Sequence, residues 1–552
     1  MGAQACYFRQ MKLIPAALLA LLATGPALGA PNSARAADFG AFLTARFAAS
    51  RGNMDQAASQ ILTALDSDPG NPELQKDAFG LALLAGRPEA DQLALHLPHN
   101  PIAQLVLADA HARAGEWERA ELAYAELPHE TLMDSLRPLL LAWSQQAQGH
   151  TDQALETLQA AIDSGHMSAF YTLHAALVAD VARRDGLADR LYGELQKSIT
   201  EPNVRLAQIL ASWAARSGRA SDARALITKL AGDSPDMQMV IPGMLASLDH
   251  APIGDAKAGI AESYTGMAGA VRSERGAGET SPLLLQLALR LQPNMTEALL
   301  VSADDEGSHN HYAAAAAALG RVSPSDPLSP VVKLRRAAYL ARAGQSAEAQ
   351  TLLEGLIAEF PNQAEPYARL GDIAAQDRHF ADAVGYYSQA VTRTPHPTKS
   401  DWGLFYARGG AYERVHDWPR AEADMKQVLT LSPDQPAALN FLGYSWAEQG
   451  RNLDQARDMI QKALDQRPND GAIIDSLGWV TLRMGDTHRA VHLLERAAEL
   501  SPDDPAITGH LGDAYWELGR HVEAEDQWRR ALVLNPDPDD AARIEARLKS
   551  VP

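Results

Sequence analysis

Cysteine is almost absent: the 552 residues hold one, Cys6. It lies ahead of the point where the chain is expected to be cut, so the remainder should have no disulfide, thiolate metal ligand or cysteine nucleophile. Basic residues are also scarce, 49 Lys and Arg against 69 Asp and Glu, for a net charge of −20. Only Arg9, Lys12 and Arg35 are charged in the first 36 residues, which leaves 46 basic and 69 acidic residues beyond them, a net −23. A surface of that sign repels phosphate backbones and argues against nucleic acid as a partner. Long apolar runs are missing apart from "LIPAALLALLATGPALGA", which Pro15 and Pro26 interrupt and which is marginal for a bilayer span. There is no glycine-rich phosphate loop, H-E-x-x-H pair or nucleophile elbow. No cofactor or catalytic residue is expected, and the protein reads as a non-enzyme.

What the sequence does hold begins with an export signal. Arg9 and Lys12 precede the apolar run, and small residues at Ala30 or at Ala34 and Ala36 offer cleavage points. A cut after Ala30 would leave Pro31 beside the scissile bond, which disfavours it. Met11 followed by Lys12 is an alternative start. Residues 1–36 are therefore expected to be a signal peptide, the alternative being an uncleaved anchor. No cysteine stands at the cut to take a lipid. The expectation is a periplasmic chain without stable membrane insertion.

The rest is periodic. "SLGWVTLRMGDTHRAVHLLERAAELSP" and "HLGDAYWELGRHVEAEDQWRRALVLNP" superpose at a shift of 34, with Leu477-Gly478 over Leu511-Gly512, Ala490 over Ala524, Leu494 over Trp528, Ala497 over Ala531 and Pro502 over Pro536. Two antiparallel helices meet closely only through small residues, which gives Gly512, Ala524 and Ala531 their places. Gly519 ends the first helix and Pro536 stops the second. The key alanine recurs at Ala57, Ala90, Ala120, Ala154, Ala188, Ala223, Ala315, Ala349, Ala383, Ala421, Ala456, Ala490 and Ala524. Between Ala223 and Ala315 a degenerate unit has "ESYTGMAGAV" as its first helix and "SPLLLQLALRLQP" as its second.

This pattern resembles the tetratricopeptide repeat. The expected fold is all-α, a superhelical solenoid of about fourteen helical hairpins with a C-terminal capping helix from "PDDAARIEARLK". Glycine- and proline-rich stretches at 247–259 and 273–282 break the period. They suggest a degenerate N-terminal superhelix over 37–231, an irregular seam over 232–282, a regular C-terminal superhelix over 283–536, and a capping helix and tail over 537–552. The insert 396–403 lengthens one connection.

Metal chemistry finds little support. His309 and His311, two apart, share no helix face and have no further ligand at suitable spacing. "ADDEG" (303–307) lacks the remainder of a calcium loop. Both read as solvated turns. The remaining candidate is a binding surface. In such arrays the first helices line the concave side, and helical spacing places Asn440, Tyr444, Asp475, Trp479, Asp513 and Trp516 on one stripe with His510 beside it. Amides, carboxylates and large aromatics suit a bound peptide, although these aromatics equally serve packing between repeats. The lysine and arginine clamp that some tetratricopeptide domains use on terminal carboxylates is missing from these positions.

The segment from "LNFLGYSWAEQG" to "GHLGDAYWELGR" resembles a group of exported bacterial tetratricopeptide adaptors, some tethered to the outer membrane. The resemblance implies a partner of a carboxyl-terminal processing protease that delivers peptidoglycan hydrolases to it. The tethering cysteine of that group is missing. The alternative is a scaffold subunit of an exopolysaccharide-export or envelope-assembly complex.

Overall fold

The computed structural model describes residues 38–199, 202–232, 235–272 and 280–550. The expected signal peptide, its cleavage points and Cys6 lie outside the described residues. Among the described residues there are thirty-one α-helices and no strand. Setting aside Pro235–Gln238, Ile241–Ala246 and Pro538–Lys549, these helices pair into fourteen antiparallel hairpins, an all-α solenoid.

Local sequence explains the helix ends. Asp470 and Asp504 each accept two N–H groups of the first turn of the next helix, and Pro436 and Pro505 sit at first-turn positions where no N–H is needed. First helices end in a left-handed residue, Gly450, Gly485 and Gly519 at φ of 65°, 88° and 81°. In the insert 396–403, Thr398 and Asp401 form a capping box around a single 3-10 turn.

Close contact within each hairpin explains the repeat. All thirteen key alanines are completely buried. A Cβ on Gly478 would come within 2.7 Å of Leu494, and one on Gly512 within 2.6 Å of Trp528. Ala45, Ala108, Ala142 and Ala211 take the glycine position in the N-terminal hairpins and are also completely buried. A second link recurs fifteen residues apart. An aromatic on the second helix donates to a carboxylate on the first, Tyr124 to Asp109 at 2.6 Å, Tyr387 to Asp372 at 2.9 Å and Trp528 to Asp513 at 3.0 Å.

The described residues form two compact units, one ending at Pro361 and the other beginning at Asn362. This division differs from the expected one, since the stretch 232–282 does not separate superhelices. It contributes Ala256–Arg272, the first helix of a hairpin completed by Thr280–Leu291. That central hairpin is the degenerate unit of the sequence, and it lies inside the first unit. Its first helix packs on Thr131–Ala147 and Ser168–Val181, its second on Pro72–Leu84 and Pro101–Ala114. Glycines permit close approach in this helix: a Cβ on Gly259, in the stretch that broke the period, would meet the Trp143 ring at 2.2 Å, and one on Gly266 would meet Phe170 at 2.5 Å. Polar links hold it as well, with Lys257 Nζ donating to the Arg113 carbonyl at 2.9 Å and Arg290 to the Arg87 carbonyl at 3.1 Å.

Asp109 is the polar centre of this arrangement. It is 1% exposed, and its Oδ1 accepts from Tyr124 and, at 2.9 Å, from Tyr264 of the central hairpin. Its Oδ2 is buried with no partner among the described residues. Burial pushes its carboxyl up to about 7, against the lowering effect of the two tyrosines. A raised carboxyl stabilises the fold most below its unfolded value, and that contribution is lost as pH rises through the folded value. In urea unfolding, the first unit should lose stability between pH 4 and pH 8, and Asp109→Asn should remove most of that slope.

The second unit has five hairpins, with first helices Glu365–Gln376, Trp402–Arg414, Pro436–Glu448, Gly471–Arg483 and Pro505–Glu517. Its core runs along the array as successive clusters, one from Phe405 to Val480 and another from Val491 to Ile544. Replacing Ala490 by Leu should overpack one hairpin and cost about 1–3 kcal/mol, read as a lower melting temperature by circular dichroism.

Candidate protein-binding site

Neighbouring first helices of the second unit pack side by side, Pro436–Glu448 on Gly471–Arg483 and the latter on Pro505–Glu517. Side chains from all three converge on His510. Its Nδ1 lies 3.0 Å from both carboxylate oxygens of Asp475. The Trp479 ring stacks on the imidazole, with centroids 4.4 Å apart and planes at 23°. The Tyr444 hydroxyl stands 3.5 Å from Nε2. Burial alone opposes a protonated imidazole; the charge of Asp475 and its hydrogen bond outweigh that, and His510 is held above the usual histidine range. Burial raises the Tyr444 phenol well above its ordinary value, and the charges of Glu448, Asp475 and Asp540 add to this.

The expected groove residues thus divide. Tyr444, Asp475, Trp479 and His510 form one cluster, with Asn440 one turn before Tyr444 on the same helix. Asp513 and Trp516 belong elsewhere: Asp513 accepts from Trp528 and pairs with Arg543, while Trp516 packs on His521 and Trp528 of its own hairpin, at 4.3 and 5.4 Å. The expectation that these seven line an open wall needs correction. Asp475, Trp479, His510 and Asp513 are 6, 8, 3 and 3% exposed, because neighbouring first helices approach closely enough for these positions to meet across the repeat boundary. Asn440, Tyr444 and Trp516 are half-buried.

Three buried polar atoms on these helices have no hydrogen-bond partner among the described residues: Asn440 Oδ1, Trp446 Nε1 and Trp479 Nε1. Leaving such a group unpaired is costly, commonly about 1–3 kcal/mol. Sequence reasoning did not single out Trp446.

The last helix, Pro538–Lys549, was expected only to cap the array. It comes after the final hairpin and puts Ile544 against Gly509, 3.3 Å from where a Cβ would be. It also reaches back to the turns of two earlier hairpins. Asp537, at its N-cap, bonds Arg414 at 2.9 Å and Arg378 at 3.1 Å, and Asp539 faces His416 at 3.9 Å. Its other end pairs Arg543 and Arg547 with Asp513. The sequence signal was a departure from glycine: Arg378 and His416 occupy the turn that Gly450, Gly485 and Gly519 fill in the other three hairpins.

The two histidines of the first unit hold a turn together. His311 bonds Glu306 at 2.8 Å and the Ser50 carbonyl at 3.1 Å, and His309 bonds the Asp305 carbonyl at 2.9 Å. Residues 303–307 are the end of the helix Thr296–Ser308 and not the turn expected from sequence. Among the described residues no group of three or more acidic, histidine or cysteine side chains is placed to hold a metal ion.

Fourteen hairpins joined by glycine and alanine contacts define a helical-repeat scaffold, a fold that typically serves protein interaction. Tetratricopeptide-repeat models match residues 83–131, 334–396, 406–471 and 476–541, and a further one matches 139–164. Over these segments the chain carries tetratricopeptide repeats. It is 32% identical over 165 residues to the TPR repeat-containing protein PA4667 of Pseudomonas aeruginosa, a match covering 30% of this chain and 27% of that protein. It is 31% identical over 88 residues to bacteriophage adsorption protein A of Escherichia coli, covering 16% and 9%. The chain thus spans about a quarter or less of the length of these relatives. Among solved structures it is similar in fold to the Cut9–Hcn1 assembly of the APC/C, at 14% identity and a TM-score of 0.35 over 92% of this chain and 95% of that one. It is also similar to YrrB, described as a TPR protein with an unusual peptide-binding site, at 17% identity and a TM-score of 0.27 over 35% and 97%.

Removing Asp475 should leave His510 buried without its counter-charge. Asp475→Ala is expected to cost about 3–5 kcal/mol near neutral pH, measured by chemical denaturation. Stability from a raised histidine is complete below its unfolded value and lost as pH rises through the folded one. The gap between wild type and variant should therefore shrink from pH 6 to pH 9.

Proposed function

We propose that this protein is an exported adaptor of the bacterial cell envelope. Its second unit holds a partner protein along the inner face, and in the specific form the partner is a wall hydrolase presented to a periplasmic processing protease. The observation that carries the binding reading is the pair Asn440 and Tyr444, half-buried and one turn apart on one stripe of the helix Pro436–Glu448. A partly exposed amide beside a partly exposed phenol suits the backbone of a bound segment. The envelope setting is supported by the apolar leader of residues 1–36 and by the resemblance of the last hundred residues to exported adaptors. No helix among the described residues is long and apolar enough to cross a membrane.

The test is a crosslinking pull-down from the periplasmic fraction with the chain from Ala37 as bait. A processing protease or a wall hydrolase, crosslinked near Asn440 and Tyr444, is the expected capture. The double variant Asn440→Ala, Tyr444→Ala should reduce it at least tenfold while the circular dichroism spectrum stays helical. Recovery of polysaccharide-export subunits, or of nothing above background, would overturn the reading.

A further inference from the structure

The terminal helix Pro538–Lys549 is built unlike the helices beside it. Of its twelve residues only Ile544 is buried, against three of thirteen in His521–Val533 and ten of thirteen in Pro505–Glu517, the two helices it packs on. Leu548 adds a half-buried apolar contact, and the other attachments are ionic. Asp537 is 44% exposed and Arg378 is 61% exposed, and pairs of that kind hold weakly. The connection that carries it, Leu534 to Asp537, contains Pro536 and a left-handed Asn535 at φ 58°, and it is too short to fix the direction of the terminal helix by packing of its own.

The receiving surface is specialised. A non-glycine residue in the left-handed region carries a backbone cost that glycine avoids. Arg378 and His416 adopt that region at φ 64° and 60°, and the side chains present there meet Asp537 and Asp539. Arg414 joins them, its guanidinium also lying 4.9 Å over the Phe380 ring. At the far end Asp513 faces two arginines of the helix. The surface is therefore positive where the helix N-terminus enters and, about two turns further on, presents the acidic Asp513 beside Gly509, where the branched side chain of Ile544 fits.

We propose that this groove is a binding site for an amphipathic helix of a partner protein, and that the chain's own terminal helix is a displaceable placeholder in it. The inference rests on the protein-binding reading above and names the chemistry of the partner segment. That segment has two or three carboxylates in its first turn, a single branched apolar residue about two turns on, and arginines flanking that residue on one face. A tethered helix competes at high effective concentration, so only a segment that fits better, or one arriving when the acidic end is loosened, gains entry.

The experiment uses the full chain and a fluorescent synthetic peptide with the sequence of residues 535–550. Asp537→Lys with Asp539→Lys loosens one end of the helix without touching the repeats. This variant should bind the peptide at least tenfold more tightly than the wild-type chain, and adding Arg378→Glu and Arg414→Glu should abolish the gain. Amides 541–549 should exchange hydrogen faster in the first variant while those of 505–533 are unchanged. Equal peptide binding by wild type and the first variant, or unchanged exchange over 541–549, would overturn the proposal. No envelope protein takes part, so the two readings fail separately. A captured partner without a peptide gain removes the placeholder alone, and a peptide gain without a captured partner removes the envelope role alone.

Discussion

Everything in this protein depends on how near two antiparallel helices can come. The distance is set by what is missing from the contact: a Cβ at Gly478 and Gly512, and anything beyond a methyl at the buried alanines. Once the helices are that close, a tyrosine or tryptophan on one can reach a carboxylate on the other, as Tyr124, Tyr387 and Trp528 do. The same proximity between successive first helices brings Asp475, Trp479 and His510 together from two different repeats. Small residues set the geometry, and the aromatic–acidic links and the stacked cluster are its results.

Each unit also covers part of its inner surface with its own chain, by contrasting means. In the first, the central hairpin is sunk among its neighbours, with Tyr264 completely buried and glycines pressed on Trp143 and Phe170. That insertion is part of the core. In the second, the terminal helix rests on one buried isoleucine, the half-buried Leu548 and a few ion pairs. Burial of apolar area scales with permanence, so one filling is structural and the other is exchangeable.

Much of the fold was legible because the repeat is written in small residues at fixed spacing, and each of the thirteen alanines reports one hairpin. The unit boundary was not. Glycine has two uses, and at Gly259 it serves close approach where composition suggested a seam. Site residues were legible only as a stripe. Helical spacing placed Tyr444, Asp475, Trp479 and His510 on related faces, but it does not say whether a face meets solvent or the next repeat. Asp513 and Trp516 were misplaced because they turn to Trp528 of their own hairpin, and Asp513 also to Arg543 of the terminal helix. Arg378 and His416 showed only as departures from glycine in the turn; that Asp537 meets Arg378 and Arg414 was out of reach, since the contact joins residues more than a hundred positions apart.

The central hairpin also constrains the order in which the first unit can form. A simple repeat array can nucleate anywhere and grow by nearest-neighbour addition. Here the hydroxyl of Tyr264 closes on Asp109, and Arg290 closes on Asp91, across loops of roughly 150 to 200 residues whose entropy must be overcome before those contacts form. The early hairpins therefore keep their inner faces bare until residues near 290 dock against them. Completion is a single late event, and a chain interrupted before that point is an unclosed array rather than a shorter solenoid.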